Sequence, residues 1–199
     1  MPKRDPEHMA AQRERILRAV VVCIAEKGVE RTSIADICRR TGLSAGALYV
    51  HFANKNDIIA ETLKFGSITE STLPNTWEGL LAMGSSLESQ MGFDIETIVR
   101  NRLHLHAESV HPGPLHEIFR PILEGSLALL ADSLQHLEDK GEITLRMSAR
   151  QTAASMSALI DGTLWIALAT DRPLEDLRVE LAQGLSCFVQ VNKSAVHNA

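Results

Sequence analysis

Four histidines, His104, His106, His111 and His116, fall within thirteen positions, and metal ligation is the first chemistry such a cluster suggests. The spacing works against it. His104 and His106 stand two apart in a helical pattern and point to different faces. His111 and His116 flank a Pro112-Gly113-Pro114 break. The segment His116-Glu117-Ile118-Phe119-Arg120 begins like a zinc-protease motif, but Arg120 stands where the second ligand belongs. The carboxylates are scattered over charged helix faces, and no nucleophile elbow, phosphate loop or dinucleotide fingerprint is present. The expectation is therefore no metal, no cofactor and no enzyme. Three cysteines, Cys23, Cys38 and Cys187, form no C-x-x-C pair and read as buried free thiols.

A second constellation, between Thr32 and Lys55, has a definite mechanical sense. Two short helical patterns meet at Thr41-Gly42-Leu43-Ser44, the signature of a helix-turn-helix. Gly42 can adopt the positive φ of a sharp reversal. Leu43 plugs the angle between the helices, and Ser44 caps the next one. Leu48 and Phe52, four apart, pack with Ile34 and Ile37. The opposite face carries Ala45, Gly46, Tyr49 and Val50, with His51 beside it. These side chains are too small or too polar for a core and suit close approach to a DNA groove.

The run from Thr32 to Lys55, with the leading helix that ends at Gly28, resembles the DNA-binding signature of the TetR family of bacterial regulators. The resemblance covers about Arg15 to Leu63. It implies an all-α homodimer with a C-terminal domain that responds to a small-molecule effector. By position, it implies that Thr32 brings a hydroxyl to phosphate, that Tyr49 meets the DNA backbone, that His51 touches DNA and that Lys55 binds phosphate. Ser44, Ala45 and Gly46 stand at the base-proximal start of the recognition helix. The family often has a long or basic residue where Ala45 stands. Base reading here is therefore expected from the Ala45 methyl, from Tyr49 and from Arg39 or Arg40, with DNA shape contributing the rest.

The elements that must position these residues are nearly all helical. The expected fold is all-α, with an N-terminal three-helix helix-turn-helix domain and a larger C-terminal helical domain for ligand binding and dimerisation. The expected division is a flexible arm over 1–9, a DNA-binding domain over 10–56 and an effector and dimerisation domain over 57–199. Helices are expected over 10–27, from Thr32 or Ser33 to Thr41, from Ser44 to His51, and from Asn54 past Leu63. Longer ones follow over 77–90, 95–110, 114–139, 148–169 and 174–191. The stretch 66–74 carries no clear pattern.

Charge is distributed to match. Residues 1–55 carry ten Lys and Arg against six Asp and Glu, although the whole chain has a net charge of −5. A basic working end on an acidic body fits nucleic-acid binding. The N-terminus lacks the apolar core of a signal peptide, and no membrane association is expected, so a cytoplasmic protein is anticipated.

The remaining bulk suggests two further roles. A small-residue helix containing Ala153 and Ala158, followed by a stripe of Leu177, Leu181, Leu185 and Phe188, is expected to form a two-fold interface. Trp77, Phe93, Arg100, His104, Phe119, Ile122 and Trp165 make a mixed lining suited to an aliphatic or amphipathic effector, with Arg100 or His104 meeting a polar or acidic group. The whole reads as a ligand-responsive regulator, in the form of a repressor that a small molecule releases from operator DNA. The alternative is an effector-independent DNA-binding or interaction protein.

Overall fold

The computed structural model describes residues 6–65, 69 and 73–192, without the side chains of 84–87. The order is α1 (Pro6–Lys27), α2 (Ile34–Thr41), α3 (Ala45–Tyr49), α4 (Lys55–Phe65), α5 (Trp77–Met91), α6 (Ile95–Ser109), α7 (Pro114–Asp139), β1 (Ile143–Leu145), α8 (Ala149–Ala169), α9 (Leu177–Ser186) and β2 (Val189–Val191). Among the described residues the fold is all-α apart from one small two-stranded sheet.

Two compact units are present. One comprises residues 1–67 and 96–122, the other 68–95 and 123–199. Compactness therefore does not follow a single cut at 56/57, because α4, α6 and the first part of α7 belong with the helix-turn-helix. In this first unit Ile16, Val20 and Ile24 of α1, Ile37 of α2, Leu48 of α3, Phe52, Ile58 of α4 and Leu105 of α6 form one core. Ile16, Val20, Ile24, Leu48 and Ile58 are wholly inaccessible.

Local chemistry explains the boundaries. α1 begins at Pro6, four residues before the expected start, because proline suits the first helical position and Glu7 complements the helix dipole. Residues 6–9 are thus helix rather than arm, and residues 1–5 lie outside the described residues. Most of the 66–74 stretch also lies outside them. Ser33, not Thr32, caps α2, in a reciprocal capping box with Asp36. Gly42 ends α2 at φ 69°, the left-handed conformation its position demands.

The second unit has its own core, built around Trp77, Leu130, Leu134, Leu137, Ile143, Ala153, Met156, Leu185 and Val189. Here the expected helix over 174–191 needs correction. Leu174–Asp176 is a 3-10 turn, the α-helix stops at Ser186, and Val189–Val191 is a strand. It pairs antiparallel with Ile143–Leu145, with Ile143 opposite Val191. β-Branched residues at 143, 144, 189 and 191 favour that pairing, and a three-residue alternation is too short to stand out from the leucine stripe. α8 and α9 approach closely: a Cβ at Gly184 would lie 2.8 Å from Leu159 Cδ2. Of the three cysteines, Cys23 is buried as expected, Cys38 is intermediate, and Cys187 is exposed.

Candidate nucleic-acid interface

The recognition helix α3 has only five residues, too few to be stable alone. Its neighbours hold it. Leu48 and Phe52 anchor one face in the core, at 0% and 2% exposure. The Ser44 hydroxyl accepts a hydrogen bond from Ala47 N at 3.2 Å. Arg13 of α1 lies over the Phe52 ring at 4.3 Å, donates to the His51 carbonyl and pairs with Glu61 at 3.0 Å. Arg15 donates to the Thr41 carbonyl at the end of α2. Two arginines from α1 thus secure the exits of both helices of the motif. Neither is legible in the sequence, since each acts on a carbonyl more than twenty-five positions away.

With its inner face anchored, α3 presents the rest. Ser44, Ala45 and Gly46 are exposed or nearly so at the start of the helix. Tyr49 is 48% exposed and Val50 47%. This is a shallow surface of small side chains with one aromatic hydroxyl at its edge. His51 is half-buried, with Nε2 3.0 Å from Gln12 Oε1. Lys55 Nζ donates to the carbonyls of Val29 and Glu30 at 3.0 and 3.2 Å. An ammonium has three protons, so one remains for a phosphate oxygen.

Three expected contacts lie differently from the simplest picture. Thr32 is 1% exposed, and its hydroxyl donates to Gly28 O at 2.7 Å. The exposed hydroxyl at the start of α2 is that of Ser33. Arg39 donates to Asp36 at 3.1 Å. Arg40 donates to both oxygens of Glu26, at 2.6 and 2.7 Å. Arg39 and Arg40 line a cleft of about 450 Å3 with Cys23, Glu26, Lys27 and Asp36. Lys27–Asp36 and Arg40–Glu26 there join α1 to α2.

Asp36 is the hub of that network. Hydrogen bonds from Lys27, then from the Ser33 hydroxyl and backbone N–H, hold its carboxyl far below the ordinary value of 3.8. A group whose folded pKa is depressed stabilises the fold above its unfolded pKa and loses that contribution as pH falls towards the folded one. Asp36→Asn should therefore lower the melting temperature at neutral pH and make it less sensitive to acid below about pH 4. A thermal melt series across pH checks this. An unchanged acid limb would remove Asp36 from the account.

These elements coincide with a known pattern. Residues 16–62 match the family model described as "Bacterial regulatory proteins, tetR family". Residues 16–62 thus carry the helix-turn-helix segment of the tetR family. Relatives that match along this segment are HTH-type transcriptional regulators. The chain is 34% identical over 71 residues to the HTH-type transcriptional regulator YvdT of Bacillus subtilis, a match covering 36% of this chain and 34% of that one. The chain thus spans about a third of that relative's length in the match. The fatty acid metabolism regulator protein of Bacillus subtilis is 24% identical over the whole of both chains. The solved structure of the regulator FadR from Bacillus subtilis, in complex with stearoyl-CoA, shares the fold at a TM-score of 0.66 and 24% identity, over 86% of this chain and 96% of that one.

The expected effector lining is divided. Arg100, His104, Phe119 and Ile122 belong to the first unit, and Trp77, Phe93 and Trp165 to the second. Within the second unit Trp77 is buried in the core, its backbone N–H bonded to Glu142 Oε1 at 2.6 Å, whereas Trp165 is 60% exposed. Phe93 is half-buried. In the first unit Phe119 and Ile122 pack on the core, and Phe119 meets His106 edge-on at 5.0 Å. Arg100 is exposed and paired with Glu96 at 2.7 Å. His104 packs against Gly28. Burial, followed by the nearby charges of Arg31 and Arg100, lowers its pKa and favours the neutral ring.

The expected dimer residues are divided too. Ala153, Leu177 and Leu185 are buried within the chain's own second unit, while Leu181 and Phe188 are half-buried. Ala158 is exposed, as is Ala154. Trp165, Ile166 and Val179 add large exposed apolar surface. A leucine stripe specifies burial but not which chain supplies the cover, and here much of it comes from within.

Proposed function

We propose that the chain is a dimeric repressor that acts in the bacterial cytoplasm and leaves its operator when a small amphipathic molecule binds. The observation that carries the reading is the α3 face from Ser44 to Tyr49: small, open and rigidly backed by Arg13, Leu48 and Phe52. Ser44, Ala45 and Gly46 come close to base edges. Tyr49, His51, Ser33 and Lys55 meet phosphates, where contacts fix register rather than sequence. Arg39 and Arg40 supply positive field from their ion pairs rather than base contacts.

The two-fold partner covers α8. That helix is long and apolar enough to cross a membrane by length and composition. Yet its exposed Ala154, Ala158, Trp165 and Ala169 recur at helical spacing along one side, a stripe suited to packing against a second copy. Pairing sets two recognition helices about 34 Å apart, in successive major grooves. A stearoyl-CoA complex in the relative FadR supports an effector with an aliphatic part. The effector would act by favouring a conformation in which the two helices no longer match that spacing. A preference of ~2.7 kcal/mol for that state weakens DNA binding about a hundredfold.

Selection of bound duplexes from a random pool, followed by footprinting, is the direct test. The expected product is a pseudo-palindrome with half-sites one helical turn apart. A set of unrelated or single half-site sequences would contradict it. Thermal-shift screening of metabolites, with operator titration of each hit, tests the effector. If no stabilising ligand alters operator affinity, control by an effector fails and DNA binding stands.

Lys55→Ala should weaken every operator variant alike. It should also reduce the slope of log affinity against log salt by ~0.9, the share of a single neutralised phosphate. Because Nζ also satisfies two loop carbonyls, the melting temperature should fall as well. A changed sequence preference with an unchanged salt slope would make Lys55 a base reader instead.

A further inference from the structure

The first unit treats its buried hydroxyls uniformly. Thr32 donates to Gly28 O, Thr41 to Ile37 O and Thr62 to Ile58 O, each at 2.7–2.8 Å along its own helix or turn. Ser109 of α6 likewise donates to His106 O at 2.8 Å. Asn101 departs from this habit. It is 8% exposed, and its Oδ1 is buried with no hydrogen-bond partner. Asn101, Leu105 and Ser109 stand four apart on α6, which places them along one face. All three are buried, and Leu105 belongs to the unit's core.

An amide oxygen withdrawn from water and left without a donor is a standing cost to the fold. Leucine is nearly the same size and would remove that cost. Two of the polar side chains nearby in sequence are accounted for. Arg100 is exposed and paired with Glu96, and His104 is held towards its neutral form by burial. An acidic ligand group would bring a second acceptor to Asn101 Oδ1, which needs a donor.

We propose that Asn101 is the polar anchor of the effector site, and that the effector offers it a neutral hydrogen-bond donor, a hydroxyl or amide N–H on an apolar body, rather than a carboxylate. The proposal rests on reading the chain as an effector-controlled regulator. Ligand binding then completes a bond the free protein lacks, so discrimination is sharp. A site built to hydrogen-bond a substrate group rejects analogues without it far more strongly than an apolar pocket can. Asn101 is in this sense a specificity-determining residue, and the sequence holds no signal for it, since an asparagine within a helix usually faces solvent.

Four probes of similar length test this on the whole 199-residue chain: decanol and decanamide, which carry donors, and methyl nonanoate and decanoate, which do not. Binding is read by thermal shift and by release of a labelled operator. Decanol or decanamide should bind at least tenfold more tightly than the ester and the carboxylate. Asn101→Leu should lose at least tenfold of that donor affinity, while its ligand-free melting temperature rises. Asn101→Ala serves as a second variant, and the four-probe comparison on unaltered protein carries the test if neither variant folds. Equal binding of all four probes, or an unchanged response in Asn101→Leu, overturns the anchor and leaves effector control standing. A lower ligand-free melting temperature in both variants assigns the oxygen to an ordered water and overturns it too. No response to any probe overturns a neutral donor as the effector's polar group, and the wider metabolite screen then decides effector control separately.

Discussion

Replacing Gly46 with leucine is expected to abolish specific operator binding while the protein stays folded. A Cβ at Gly46 meets only Ser44 Oγ, at 3.9 Å, so the protein itself has room for a side chain. Gly46 is exposed, in the second position of α3, and its conformation is not one reserved for glycine. In the proposed DNA-binding mode, the space a leucine would fill is the space a base pair occupies. Affinity should fall at least ~100-fold, equivalent to about 2.7 kcal/mol. The melting temperature should stay within about 2 °C, as for other exposed substitutions. Electrophoretic or anisotropy titration beside a thermal melt gives both quantities. Tight binding by Gly46→Leu would move the recognition surface away from the start of α3.

The second large effect separates two alanines five positions apart on α8. Ala158→Glu puts a carboxylate on a surface that is open in the single chain. The chain should fold, sediment as a monomer at micromolar concentration and bind operator about 10²–10⁴-fold more weakly, because the second half-site no longer benefits from being tethered to the first. Ala153→Glu puts the same group at a position with 0% exposure, within the core of the second unit. Burying an unpaired charge there should prevent stable folding altogether. Sedimentation velocity with circular dichroism distinguishes the outcomes. A dimeric Ala158→Glu would place the interface elsewhere, and a well-folded Ala153→Glu would contradict the assigned core.

The contrast between those alanines marks the limit of what sequence can reveal. Gly42, Leu43, Ser44, Leu48 and Phe52 are legible because a tight turn, a cap and a four-residue spacing are local demands. Each acts within one or two helical turns, so type and spacing suffice. Arg13, Arg15 and Lys55 are legible only in part, or not at all, because their bonds reach carbonyls at positions 51, 41, 29 and 30. No local pattern encodes a distant carbonyl. Resemblance makes Thr32 a phosphate ligand, and a side-chain bond to Gly28 turns it inward. Leu177 and Leu185 have the spacing of an interface. The same spacing serves a helix covered by its own chain, and only the folded arrangement separates the cases. The strand over 189–191 is hidden in the sequence because its partner lies more than forty residues earlier.

The brevity of α3 limits how the proposed operator choice could be redirected. Five residues cannot persist as a helix by themselves. Their order is borrowed from a phenylalanine beneath them, an arginine laid over that ring and a serine at their start. A synthetic peptide copying residues 44–52 would arrive at DNA as a disordered chain and compete poorly with the intact protein. Nor can a new specificity be imported by splicing in another regulator's recognition segment alone. The portable cassette is larger: α1 from Gln12 onward, the turn, α3 and the start of α4 through Glu61, whose carboxylate holds Arg13 in place. Exchanges that respect that frame should transfer operator choice intact. Exchanges that cut inside it should yield folded but indifferent binders.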